Sequence, residues 1–438
     1  MRRSKVVLST VAAAAAVVTT LAMSGCSAGG GDSGSKTLNL MLIDTDSTKE
    51  LKAIYIPEFE KETGITVNVD LVPESGMDAK LSVSLGSKSG QYDVVEAGAK
   101  NLSTLVASKW LKPLDSYLDD TSKTPTSYTD GFSSQLLKTI QIDKATYTMP
   151  YQVGADLLFY NKKMFEAAGL DPADPPRTMS EIVADAKKLT KPDAGQAGFV
   201  ARGTREGNDN SFSWIMQWFL NGGRWADANG KPKYDVLTDP AAIKTTEQYT
   251  QLMTKYAPAG ASNYSYLEAQ TAMQQGKAAM WLDAAQLGPT LEDKTKSTIA
   301  GNVGYAAPKG SGSGYIVGAI WGFSMVDTTK NPDAAWKLIQ FLTDKKVAVG
   351  QAVSGTNGSP ARADALADPA VRKAFNPDFL KALSTAIEQA NPLYSPVIPQ
   401  GTQIRGDLSL ALSQVLSGQA NPQEAMTTAN NQIKELLK

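Results

Sequence analysis

Residues 147–170, YTMPYQVGADLLFYNKKMFEAAGL, change periodicity in mid-run, and that change constrains the fold more than any other stretch of the chain. Residues 153–160 are apolar and aromatic without helical spacing, which reads as a strand. Asn161 can cap a helix, Met164, Phe165 and Ala168 recur at helical spacing, and Gly169 supplies a left-handed stop. A strand that feeds directly into a helix is a unit of an α/β architecture. Pro150 removes a backbone donor and holds Met149 extended, which a central strand tolerates badly and a crossing between two lobes tolerates well. Residues 150–156 are therefore read as a hinge.

The alternation continues on both sides. Strands are expected at 38–43, 65–71 and 92–96, with helices from the caps Ser47 or Thr48, at 77–85 and at 101–108, and Pro57 is expected to kink or end the first helix. After the hinge, helices are expected at 180–189, 211–220 and 240–255, strands at 278–283, 303–307 and 316–326, a helix at 331–342, and a largely helical remainder. Strands alternating with helices predict mainly parallel sheets covered on both faces, with ligands beyond the carboxyl ends of the strands. That rule selects residues 44–47 and 96–98.

At 438 residues, 42% of them hydrophobic, and with a formal charge of −1, the chain is long enough for more than one core and carries no basic stripe that would engage nucleic acid. This balance points to a neutral partner. There is no histidine, which excludes histidine triads, zinc sites of the H-E-x-x-H kind and imidazole acid/base catalysis. No G-x-x-x-x-G-K-[ST] occurs, so no phosphate-binding loop of that type is present. Hydrolysis by paired carboxylates is the enzymatic chemistry that composition leaves open.

Arg2, Arg3 and Lys5 precede an apolar run at 6–23 that reads either as a membrane span or as a secretory signal. Met23-Ser24-Gly25-Cys26 looks like a bacterial lipobox, which favours a signal peptide at 1–25 and a diacylglyceryl group on Cys26. Cys26 is the single cysteine, so no intramolecular disulfide or thiolate metal cluster can form. Cleavage would remove three basic residues and no acidic one, leaving 40 basic against 44 acidic residues, a charge of −4. Residues 26–36, glycine- and serine-rich, then serve as a flexible tether.

The pattern P-Y-x-x-G-x-x-L-L-F-Y-N-K-x-x-F-x-x-A-G-L at 150–170, continued by P-R-T-M-S-E-I at 176–182, resembles the hinge segment of the extracellular solute-binding proteins that serve ABC sugar importers, the maltodextrin-binding type. Met179 stands where that family usually has Trp. The resemblance runs from Thr37 to the C-terminus. It implies a two-lobed α/β fold of the periplasmic-binding-protein type II class, with crossings near 150–156, 303–307 and 343–348. The first lobe would comprise 37–152 with 304–346, the second 153–303 with 347–438, and the ligand would lie in the cleft between them. It further implies no catalysis, no cofactor and no metal, a partnership with the transmembrane subunits of an ABC permease, and a monomer held by its lipid on the outer face of the cytoplasmic membrane.

A neutral sugar offers hydroxyls, which need carboxylates and amides, and C–H faces, which lie well against aromatic rings. Asp44 and Asp46, beyond the first strand, either meet ligand or cap the next helix. Glu96 ends the third strand, where the family commonly contacts ligand, the other reading being a salt bridge or a solvated rim. Tyr151 and Asp156 in the hinge either reach the cleft or brace the crossing. Trp214, taken ahead of Trp218, either reaches the cleft or packs in the core. Arg202 and Asn210, in R-G-x-x-x-G-N-D-N, resemble hydroxyl binders of a sugar- and polyol-binding subset, against a role for Arg202 in bracing its own loop. Trp281 and Asp283 follow G-K-A-A-M, where the family often places a ring against ligand. Trp321 would project from the first lobe, either to stack on ligand or to pack between sheets. The expected function is capture of a neutral saccharide or polyol for ABC import, an oligosaccharide being favoured by seven tryptophans. The alternatives are a binding protein for another solute, such as a polyamine or ferric iron, and a secreted glycoside hydrolase.

Overall fold

In the computed structural model, residues 37–98, 101–227, 231–310, 316–388, 390–391, 396 and 398–438 are described. The predicted signal segment, Cys26 and the tether lie outside the described residues. The strands in chain order are β1 (Thr37–Ile43), β2 (Thr66–Val72), β3 (Val94–Gly98), β4 (Gln141–Ile142), β5 (Ala145–Thr146), β6 (Met149–Asn161), β7 (Met280–Ala284), β8 (Val303–Ala306), β9 (Ile316–Met325) and β10 (Ala390–Asn391). Eight of them form one sheet in the order β2-β1-β3-β9-β6-β7, with β10 on β9 and β8 on β6, while β4 and β5 pair separately. Pairing is parallel through β2, β1 and β3. It turns antiparallel where β9 joins β3, where β6 joins β9, and where β7 and β8 join β6.

Two hydrophobic cores divide the chain. One draws on Leu38 to Val153, Trp321 to Val347 and Ala361; the other on Ala155 to Ala307, Ala352, and Val371 to Ile433. The handover between them falls inside β6, between Val153 and Ala155. The fold is therefore a two-lobed α/β architecture. β8 is part of the second core, through Val303, Tyr305 and Ala306 against β6, so the chain returns to the first core after Ala307 rather than at the expected crossing over 303–307.

Pro150, which a central strand is expected to tolerate badly, lies with the rest of residues 150–156 inside a thirteen-residue, fully buried strand with partners on both edges. Pro150 is accommodated because the register against β9 shifts between Pro150 and Gln152 and because Gly322 stands opposite it. A bulge of this kind lets a strand lose one donor and continue. Beyond it, Asn161 accepts bonds from the backbone N–H groups of Lys163 and Met164 at 3.1 and 3.3 Å, and Gly169 has φ of +71°.

The first helix starts two to three residues earlier than expected, at a capping box of Thr45 and Thr48 in place of a cap at Ser47 or Thr48. It widens to a π turn over Leu51–Tyr55 before the α segment Ile56–Thr63, whose first turn holds Pro57. The wide turn fits a proline that cannot donate to the preceding turn. Thr178 and Glu181 make a second capping box for the helix Met179–Leu189.

Candidate functional site

A cavity of about 770 Å³ opens between the strand ends and loops of both cores. From the first core it receives the loop after β1, the start of the helix Glu74–Gly86, Glu96 at the middle of β3, Tyr151 and Gln152 of β6, and Trp321 of β9. From the second it receives Arg202, Asp209 and Phe212, and Tyr266 at the start of the helix Tyr266–Gln274. The volume lies in the range of ligand-binding clefts.

On the first side, β1 stops at Ile43 and its N–H donates to Glu96 Oε2 at 2.8 Å, while the Tyr151 hydroxyl donates to Oε1 at 2.8 Å. Glu96 is 2% exposed. Burial pushes its carboxyl up to about 7, against the opposite pull of the Ile43 and Tyr151 hydrogen bonds. Tyr151 in turn lies flat on Phe323, ring centroids 4.7 Å apart and planes 17° from parallel. Asp44 is held by Lys49 at 2.7 Å, and Asp46 stands exposed in the first turn of its helix. Trp321 lies across Gly98 at the end of β3.

On the second side, Arg202 is 4% exposed and its fork grips Asp283, Nε to Oδ2 at 3.0 Å and Nη2 to Oδ1 at 2.7 Å. Nη1 faces Asp209 at 3.5 Å. The guanidinium sits 4.2 Å from the Phe212 ring centroid and 5.3 Å from that of Tyr266. Burial works against its charge, but Asp283 and Asp209 outweigh burial and hold its pKa well above the ordinary value. Burial, and after it the Glu74 charge, pushes the Tyr266 hydroxyl up to about 12. The site thus presents a fixed cation, carboxylate acceptors and flat rings in one space, the donor and acceptor set that hydroxyls and C–H faces require.

Of the residues singled out from sequence, the structure brings Asp44, Asp46, Glu96, Tyr151, Arg202 and Trp321 to the cavity. Five others lie behind its wall. Asp283 is fully buried and orients Arg202, while also accepting from the Ala284 N–H at 2.8 Å. Trp281, in a strand buried on both faces, donates to Asp283 at 3.2 Å and packs on Phe159. Trp214 donates to Thr246 Oγ1 at 2.9 Å and stacks on Trp218 at 5.3 Å; every residue of its helix, Asp209–Leu220, is buried, so only the N-terminal end of that helix touches the cavity. Asn210 is spent on Ser409, donating to its carbonyl at 2.9 Å and accepting from its hydroxyl at 2.6 Å. Asp156 is buried where β6 pairs with Ala284 of β7. Tyr266, Phe212 and Asp209 were not singled out. Asp209 lay inside the G-N-D-N run, whereas Tyr266 comes after an ordinary helix cap and carries no local signal.

Among the described residues, no group of three or more histidine, cysteine or acidic side chains is placed to hold a metal, and no helix is long and apolar enough to cross a membrane.

The chain is similar to known proteins over most of its length. A mannitol-binding protein of Pseudomonas aeruginosa is 23% identical over 427 residues, 92% of this chain and 94% of its own. The crystal structure of an ABC transporter solute-binding protein from Agrobacterium radiobacter K84 in complex with ribitol superposes with a TM-score of 0.83 at 28% identity, covering 92% of this chain and 98% of that one. A maltose-bound protein of T. maritima shares the fold, with a TM-score of 0.78 at 21% identity and coverage of 91% and 99%. Residues 44–349 match the family model described as bacterial extracellular solute-binding protein, and this chain belongs to that family.

Proposed function

We propose that this chain captures a neutral polyol or saccharide in the cavity between its two lobes and delivers it, as a monomer and without catalysis, to the transmembrane subunits of an ABC permease. The observation that carries the reading is convergence. Acceptors, a fixed guanidinium and flat rings reach one cavity from two separate cores, so a single ligand can touch both. The mannitol- and ribitol-binding relatives support a polyol. A short oligosaccharide is the second reading, favoured by the volume of about 770 Å³. The tryptophan count favours it less, because Trp214, Trp218, Trp281 and Trp336 are fully buried and, among the described residues, Trp321 alone of the seven lines the cavity.

A thermal-shift screen with ribitol, D-mannitol, erythritol, D-tagatose and maltose tests this. A ligand at one hundred times its Kd adds about 2.7 kcal/mol to stability, so at least one of these should raise Tm clearly. No shift and no calorimetric heat with any of them at millimolar concentration would reject the reading.

The lipid anchor rests on the apolar run ending in Ser-Gly-Cys and on the glycine-rich tether. Two acyl chains suffice for stable attachment where one is marginal. Wild-type chain should partition into detergent and Cys26→Ala into the aqueous phase; equal partition of both would remove the anchor from the proposal.

A further inference from the structure

Gly98 ends β3 directly opposite Trp321 of β9 in an antiparallel register. Opposed side chains in such a pair normally stand next to each other on one face of the sheet. Here the indole instead covers its partner. A Cβ placed on Gly98 would fall 2.2 Å from Cε3 of Trp321, and 2.6 and 2.7 Å from Cδ2 and Cζ3, the atoms on either side of Cε3. Near-equal distances so little longer than the first place that Cβ over the face of the ring; an approach along the ring edge would leave the two neighbours markedly farther away. The same ring lines the cavity while only 8% exposed.

Gly98 does not have a positive φ, so its backbone accepts alanine without strain. What the position requires is room for the ring. The main chain of β9 is held in place, because β9 lies between β3 and β6 and is paired along both edges around residue 321. A methyl group at residue 98 would have to be met by a turn of the indole, and the open space beside it is the cavity. A second pair in the same sheet shows the arrangement without a ligand role. Gly304 of β8 stands opposite Tyr160 of β6, a Cβ there would lie 2.1 Å from the Tyr160 ring, and that ring is buried with its hydroxyl donating to the Pro172 carbonyl at 2.7 Å.

We propose that Gly98 is a positioning residue for ligand recognition: by lacking a side chain it lets Trp321 lie flat as one wall of the cavity, with its outer face free to stack on the C–H face of a polyol or sugar. This rests on the reading of the cavity as a polyol or saccharide site. Stacking of this kind selects for the width and planarity of the ligand's carbon skeleton, so a change at residue 98 alters affinity through Trp321 and through no contact of its own.

The test uses the full-length chain labelled with 5-fluorotryptophan, with the Trp321 fluorine resonance assigned by Trp321→Phe. In Gly98→Ala that resonance should move by more than its linewidth without ligand present, while the other tryptophan signals stay in place. Calorimetry with ribitol and D-mannitol should show affinity about tenfold weaker in Gly98→Ala, and no further loss when Gly98→Ala is added to Trp321→Phe. If Gly98→Ala does not fold but the double variant does, the conflict between residue 98 and the indole is shown directly. An unmoved Trp321 resonance, or an equal loss of affinity in both backgrounds, overturns the proposal. Failure of the wild-type chain to bind either polyol counts against the reading of the cavity, and the resonance then decides the positioning role separately.

Discussion

Glu96 shows how a single residue can be legible by position and illegible by environment. The strand–helix alternation selects its strand and the carboxyl edge of the sheet for ligands, although Glu96 does not end the strand as expected but sits at the middle of β3, which runs on to Gly98. Its burial under Tyr151, and the Ile43 N–H that turns to meet it, come from strands distant in sequence. The consequence is a carboxyl whose folded pKa is raised, from 4.5 to about 7. With the folded state holding the proton more tightly than the unfolded state, the contribution of Glu96 to stability is fully present below about pH 4.5 and is lost as pH rises through 7. The window corresponds to roughly 3 kcal/mol at 1.36 kcal/mol per pH unit. Glu96→Gln should flatten urea-unfolding stability between pH 5 and 7.5 relative to wild type; an unchanged slope would show that Glu96 does not titrate there. Arg202 teaches the same lesson from the other lobe. The R-G motif pointed to it, but Asp283, read from sequence as a ligand contact, is the residue that aims it.

At the scale of elements, caps and periodicity were legible because they are local. Asn161 and Gly169 do what their types allow. Pro150 and the Trp214 helix were not, because the deciding neighbours are remote. A register shift and Gly322 make room for the proline in a central strand, and packing on every side of Asp209–Leu220 withdraws Trp214 from the cavity. The cross-strand glycines belong to this scale too. Gly304→Ala should destabilise the chain by about 1–3 kcal/mol, as overpacking in a core does, because the Tyr160 ring is pinned by Pro172. Urea denaturation with an unchanged midpoint would mean that the ring gives way. Ligand affinity should be unaffected, in contrast to Gly98→Ala.

For the whole molecule, the contacts between lobes matter most. Asp78, on the first-lobe helix Glu74–Gly86, accepts from Arg405 Nη2 at 3.0 Å, and Arg405 belongs to the second-lobe helix Gly401–Leu416. Asn101 Nδ2 holds the other carboxylate oxygen at 3.0 Å. Arg405 is fully buried, and among the described residues its Nε and Nη1 find no hydrogen-bond partner, so Asp78 is its compensating charge. Removing one partner of a buried pair typically costs about 3–5 kcal/mol. In Asp78→Ala the lobes should part to hydrate the guanidinium, giving a larger radius of gyration without ligand by small-angle scattering and at least tenfold weaker binding. Arg405→Met in the same background should restore both. Scattering and affinity identical to wild type in Asp78→Ala would show that the pair does not hold the lobes together.

By itself the sequence determined the α/β class, the cap at Asn161 and the stop at Gly169, the absence of histidine chemistry and the family, since each depends on residue type, short-range spacing or motif. Tertiary structure alone decided which polar and aromatic residues face the cavity and which stand behind it. Trp281 and Trp321 have the same chemistry and both lie in strands, yet one is buried on both faces of β7 and the other lies over a glycine at a strand end. The difference arises because exposure to a cleft is set by what packs on the far side of a strand, and those neighbours come from the other end of the chain.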